Sequence, residues 1–357
     1  GWVISEHGTL RFSEEADRLF LGTSPEPRQK DTTQLAEYRP DVQVWSWDEP
    51  VQYTVQTFNR DKDLKKSYRA VYNLKTRSLV QLANEELPDI TVPHKGNYAL
   101  LSTDRPYSLS SLWEGRSRND VYRVSLSDGS RKLLIEGKYA NPSISPEGTY
   151  AFWYQRTDSC WYTIALSTCQ EYRLTTPATF KAWDEENDVP YHPGSYGYAG
   201  WTQGDKDLLL YDRYDIWKFN PTNADDPRNI TWGREKQIRF RLIWLDKDEK
   251  SIDPSGMFLL NGFHELTRKS GYYSSKLWSY VTPRPLLVGD YMLRTPLKAK
   301  NAKSMLYTIE TFERYPDLHL SDLSFRKSVQ LTHGINQQKD IKWGTAELVS
   351  WNSLDGK

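Results

Sequence analysis

One unit recurs along the chain. It is a turn with Gly or Asp, an apolar strand, a loop, a strand opening on Asp or an aromatic residue, a short polar turn, and a strand ending in Leu-Thr or similar. Residues 143–175 show it most plainly, with a turn at 145–148 and strands expected over 150–154, 160–166 and 171–175. The connections are too short for crossover helices, so these strands must pair antiparallel as a meander. The order returns at 97–101 with 120–126 and 131–134, at 207–211 with 214–219 and 228–231, and at 304–308 with 317–320 and 329–332. Looser copies are 68–74 with 79–82, and 257–261 with 276–280 and 286–288. Taking Tyr72, Tyr122, Tyr162, Trp217, Trp278 and His319 as equivalent gives intervals of 50, 40, 55, 61 and 41 residues.

A four-stranded repeat of roughly 40 to 50 residues is what a propeller blade requires. The expected fold is therefore all-β: a β-propeller of four-stranded antiparallel blades with WD40-like or TolB-like repeats over 1–342. About six blades fall in this chain, and a complete propeller of seven or eight is compatible with that count. Residues 9–21 supply the opening two strands, so an incomplete first blade and further blades upstream are both compatible with this expectation. The excess length of the longer intervals is assigned to rim loops at 176–197 and 262–275. Helical solenoids are excluded because no 3.6-residue apolar period runs through the chain.

Bulk properties narrow the partners. Lys plus Arg and Asp plus Glu both number 47, so no global field draws the chain to nucleic acid or an anionic membrane. Fourteen Trp and 23 Tyr favour pleated, half-buried surfaces. No apolar run approaches the roughly 20 residues of a membrane-spanning helix, and residues 1–7 lack the regions of a signal peptide. Cys160 and Cys169 are too few for a disulfide scaffold or a Cys-rich zinc site, and the strand expected between them sets them too far apart to bridge without distortion. The six histidines show no metal-ligand spacing, so neither a metal nor a cofactor is expected.

Two stretches could carry chemistry. His-Pro-Gly-Ser-Tyr-Gly-Tyr, 192–198, approximates the Gly-x-Ser-x-Gly elbow that presents a serine nucleophile. Pro193 stands where the elbow needs a small residue, and no α/β alternation surrounds Ser195, so 192–198 reads as an interblade loop and no catalytic residue is assigned. Asp120, Asp215 and Asp317 open equivalent strands, a repetition that favours capping of turn N–H groups. Residues 60–68 mix both charge signs and read as an exposed loop.

The units Ser-Pro-Glu-Gly-Thr-Tyr and Tyr-Asp-Arg-Tyr-Asp-Ile-Trp, the stretch 238–242, and above all Trp-Gly-Thr-Ala-Glu-Leu-Val-Ser-Trp-Asn-Ser-Leu-Asp-Gly-Lys at 343–357 resemble the prolyl oligopeptidase family of serine peptidases. The match is to the non-catalytic N-terminal propeller of its large secreted bacterial members, of the Bacteroidetes type. The resemblance implies that 343–357 is a closing strand and linker toward a C-terminal α/β-hydrolase domain of the same polypeptide, a domain that this chain does not contain. It implies a propeller that gates and positions short peptides by its channel and rim loops, in the periplasm or at the cell surface. In dipeptidyl peptidases of that superfamily paired glutamates bind the substrate's free amino terminus. Glu185 and Glu186, within the acidic run 183–188, are the candidates here, and the plainer reading of that run is a solvated loop. The rival reading of the whole chain is a free-standing propeller that binds a peptide, glycan or protein through one face.

Overall fold

The computed structural model describes residues 1–26, 33, 35–38, 42–278, 281–334 and 338–356. Six antiparallel sheets follow one another in chain order among the described residues. The first joins Trp2–Ile4, Arg18–Pro25, Tyr68–Asn73 and Ser78–Gln81, with Arg11–Phe12 as an added edge. The second runs Asp89–Thr91, Tyr98–Thr103, Asn119–Ser125, Arg131–Lys138, and the third Ser143–Ile144, Tyr150–Gln155, Cys160–Ala165, Gln170–Arg173. The fourth is Tyr198–Trp201, Leu208–Tyr211, Ile216–Phe219, Arg228–Asn229, and the fifth Ile238–Ile243, Met257–His264, Ser270–Lys276, Arg284–Gly289. The sixth pairs Ser304–Thr311 with Arg314–Asp322 and Val329–Gln330, its outer first strand being split into Met292–Leu293 and Leu297–Lys298. These sheets are the blades of a β-propeller.

The chain divides into two compact units, one of residues 1–195 with 221–224 and one of 196–220 with 225–357. In the first unit, Ala99 and Leu101 of the second blade pack with Phe20 and Val71 of the first, while Leu100 between them packs with Ala151 and Trp153 of the third. The second unit repeats the device: Leu260 and Tyr273 of the fifth blade face the fourth, and Leu259 and Tyr272 face the sixth. Successive side chains of a strand point to opposite faces, and both faces are covered. Central strands consequently read as continuous apolar runs such as Leu208-Leu-Leu-Tyr211. Each such side chain contributes about 1.5–3 kcal/mol of burial.

A polar clasp ties the outer strands together. In the fourth blade the Thr231 hydroxyl accepts the Ile216 N–H (3.0 Å) and donates to Asp215 Oδ1 (2.7 Å), which also accepts the Gly233 N–H. In the sixth, Thr332 accepts the Leu318 N–H (2.8 Å) and donates to Asp317 (3.1 Å), which accepts the Gly334 N–H (2.7 Å). Gly233 is required by close approach, since a Cβ there would lie 2.2 Å from the Ile238 carbonyl oxygen. Asp120 of the second blade accepts the Gly137 N–H (2.9 Å) and takes its hydroxyl from Tyr107 (2.7 Å), whose phenol is pushed up to about 12, chiefly by that bond. Asp215 and Asp317 thus each accept the N–H of a glycine beyond the fourth strand, as their recurrence suggests, whereas Asp120 accepts one within its fourth strand, and Asp120 and Asp317 lie inside their third strands instead of opening them.

Three local expectations are corrected. The helix α1, Tyr53–Asp63, occupies the start of the stretch read as loop; none of its residues is buried. A second helix, α2, spans Ser108–Glu114. In the fifth blade the third strand is Ser270–Lys276 and not 276–280: Trp278 sits in the following turn, and Ser279 and Tyr280 lie outside the described residues. Tyr272, paired with Asn261 and Leu287, is the true equivalent of Trp217 and His319. The extra length of that blade is the connection 244–256, between its first and second strands, in place of 262–275.

Candidate functional site

In an antiparallel blade, the connections from second to third strand and from fourth strand to the next blade emerge at one end. In the first unit that end carries 104–118, 139–142, 156–159 and 174–195. They are knitted together. Arg118 pairs with Glu114 at 2.8 Å, and Tyr139 Oη donates to the same carboxylate. Arg116 lies 3.5 Å from the Tyr191 ring centroid, and Tyr154 Oη donates to the Pro193 carbonyl at 3.3 Å. Gly194 is pressed against Arg156 so closely that a Cβ would meet its Nη2 at 2.9 Å.

The long loop of this end holds Glu185, Glu186 and Ser195. Phe180 and Ala182 are buried and anchor its start. Trp183 bridges Ser195 antiparallel, and the Asp184 N–H donates to the Gly194 carbonyl at 2.8 Å. The loop is therefore a pinched hairpin with 185–192 as its tip. Glu185 is only 15% exposed and its Oε2 pairs with Lys181 Nζ at 3.1 Å, an i,i+4 contact. Glu186 is exposed, and its N–H donates to Asp184 Oδ1 at 3.1 Å. Glu185 thus already faces a cation. Ser195 is followed by the strand Tyr198–Trp201, whereas an elbow serine stands between a strand and a helix.

In the second unit, the corresponding end bears a denser polar network that the sequence did not single out. Glu265 accepts from Arg213 Nη2 (2.8 Å) and Tyr214 Oη (2.6 Å). Burial opposes ionisation of Glu265, but these donors prevail and hold its carboxyl below the usual range. Burial pushes the Asp212 carboxyl up despite its bonds from the Asp215 and Tyr214 N–H groups and its pair with Arg234 at 3.1 Å. Arg241 donates to the carbonyls of Asp212 (3.2 Å) and Arg213 (3.1 Å) and stacks 4.6 Å from the centroid of Tyr211. Among the described residues no group of three or more His, Cys, Asp or Glu is placed to hold a metal, and no helix is long and apolar enough to cross a membrane. Cys160 is buried and Cys169 half-buried, both as free thiols.

No family model matches the chain, and no curated protein matches it. Solved structures do overlap with it. A structure from a study of two prolyl endopeptidases matches at 11% identity and a TM-score of 0.44, covering 92% of this chain and 42% of that one. Dipeptidyl peptidase 4 of Porphyromonas gingivalis matches at 12% identity and 0.46, covering 92% and 47%. An oligogalacturonate lyase in complex with manganese matches at 11% and 0.42, covering 94% and 78%. The chain spans less than half the length of the two peptidase structures. Peptidases and a lyase share the overlap, so it carries no activity with it.

Proposed function

We propose that this chain is the non-catalytic propeller of a prolyl-oligopeptidase-like serine peptidase, covering 1–342, with 343–357 leading toward an α/β-hydrolase domain of the same polypeptide. The observation that carries the reading is the run at 343–357, which resembles the family's passage from last blade to hydrolase. In the structure this run bears no regular strand through residue 356, and Trp343 rests on Phe312, its indole N–H donating to the Phe312 carbonyl at 3.1 Å. In this role the propeller acts by steric selection and positioning of short peptides, work that needs placed side chains and no nucleophile. Secretion to the periplasm or cell surface belongs to the same proposal.

Within it, Glu185 and Glu186 engage the substrate's ammonium group through charge-assisted hydrogen bonds. The Lys181 partner of Glu185 is itself exposed, so a bound ammonium can displace it. The coding sequence beyond Lys357 tests the main reading: a Gly-x-Ser-x-Gly in a strand-to-helix context supports it, and a stop codon there contradicts it in favour of a free-standing binding module. In the intact enzyme, Glu186→Gln should lower kcat/KM about tenfold for substrates with a free amino terminus and leave N-acylated ones unchanged.

A further inference from the structure

The second unit contains a hollow of about 470 Å³ between the fifth and sixth blades, within the range of roughly 300–1,000 Å³ usual for small-ligand sites. Strand register builds its wall. Arg239 is paired with Phe263 and Arg241 with Asn261, so these four residues share one face of the fifth blade. Arg268 joins them from the turn after the second strand, in the left-handed region at φ 61°. From the sixth blade come Tyr291, Met292 and the buried Leu293. Leu293 also belongs to the apolar core that both blades share, so the hollow is lined by apolar side chains as well as by arginines.

Three arginines line the hollow and no carboxylate does. Among the described residues none of the three forms an ion pair with Asp or Glu. The neighbouring acids are engaged elsewhere: Glu265 with Arg213 and Tyr214, Asp212 with Arg234, and Asp290 with Lys269 at 3.7 Å. Glu265 also feels the Arg239 charge without bonding to it. Arg241 spends its bonds on backbone carbonyls and feels the Asp212 charge without pairing with it. Arg239 is held over the Phe263 ring, 5.2 Å from its centroid, which keeps its fork in place. Guanidinium forks held this way match a carboxylate's two oxygens.

We propose that this hollow is an anion site for a small carboxylic acid with an apolar body, the carboxylate meeting Arg239 and Arg268 and the body lying on Tyr291 and Leu293. The site goes beyond the peptidase reading, because binding is measured on this chain alone and stands or falls without a hydrolase domain.

Calorimetric titration of the chain tests it with N-acetylphenylalanine, its amide, and inorganic phosphate. The acid should bind at least about tenfold more tightly than the amide and than phosphate. Arg239→Gln with Arg268→Gln should abolish that preference at an unchanged melting temperature. Should the double variant not fold, Arg268→Gln alone, in an exposed turn, must still weaken the acid several-fold. A Gly-Gly-Phe arm separates the sources: tighter binding than the acetylated amino acid assigns a peptide C-terminus, and weaker binding assigns a free small acid. Equal binding of acid and amide, phosphate binding as tightly as the acid, or no binding of the acid each overturns the proposal.

Discussion

The fourth and third blades solve the same turn differently. In the fourth, Asp215, Thr231 and Gly233 close the clasp. In the third, Thr175 still accepts an N–H of the third strand, that of Trp161, at 2.8 Å, but Cys160 occupies the aspartate's place and Pro177 the glycine's. Proline has no N–H to satisfy, so no carboxylate is needed, and the thiol instead accepts from Arg173 Nη2 at 3.1 Å. The acceptor is present where a donor must be satisfied and absent where it is not. Residues that recur at equivalent positions are thus accounted for by backbone bookkeeping. Those that occur once, such as Arg239, Arg268 and the 181–195 hairpin, are where function is to be sought.

The largest effect that can break this comparison is at Asp215. Asp215→Ala strands the buried Gly233 N–H and Thr231 hydroxyl and should cost about 3–5 kcal/mol in denaturant unfolding. Asp317→Ala, on the same pattern, should lower the melting temperature less. Its carboxyl is held below the ordinary range first by the Gly334 N–H, so the Asp317 contribution is present above the ordinary carboxylate pKa and disappears as pH falls through the lowered one. Asp317→Ala should accordingly flatten the acid limb of the stability curve.

Coupling between positions 160 and 177 is the sharper test. Cys160→Asp alone buries a carboxylate where Pro177 offers no N–H, and should destabilise. Adding Pro177→Gly supplies the donor, and a double-mutant cycle should return a favourable coupling of about 1 kcal/mol or more. Zero coupling would show that the two sites vary independently.

Much of this was legible beforehand. The blade order and the capping aspartates follow from a repeat that sets the same residue type at equivalent places. The third strand of the fifth blade was missed because Ser-Gly-Tyr-Tyr-Ser-Ser-Lys has small polar residues where others have Val or Ile, yet buries Ser274 and Ser275. Lys-Leu-Trp-Ser-Tyr nearby has the better alternation, yet Lys276 ends the strand and Leu277 and Trp278 form a turn. Helix α1 buries nothing, so no apolar period marks it. The arginine hollow was invisible because strand pairing, and not sequence spacing, sets Arg239 beside Phe263 and brings in Arg268.

The smallest effect concerns the thiols. Burial pushes the Cys160 thiol up, against the opposing pull of Arg173, so it stays protonated and shielded. Iodoacetamide should modify Cys169 in the native protein and Cys160 only after unfolding, as read by intact-mass analysis.

The repeat is expected to build a scaffold with no reactive serine of its own. Incubation with a fluorophosphonate probe, followed by peptide mass mapping, tests it directly. The chain should remain unlabelled and should not cleave chromogenic dipeptide substrates. Stoichiometric labelling at Ser195, lost in Ser195→Ala, would contradict it.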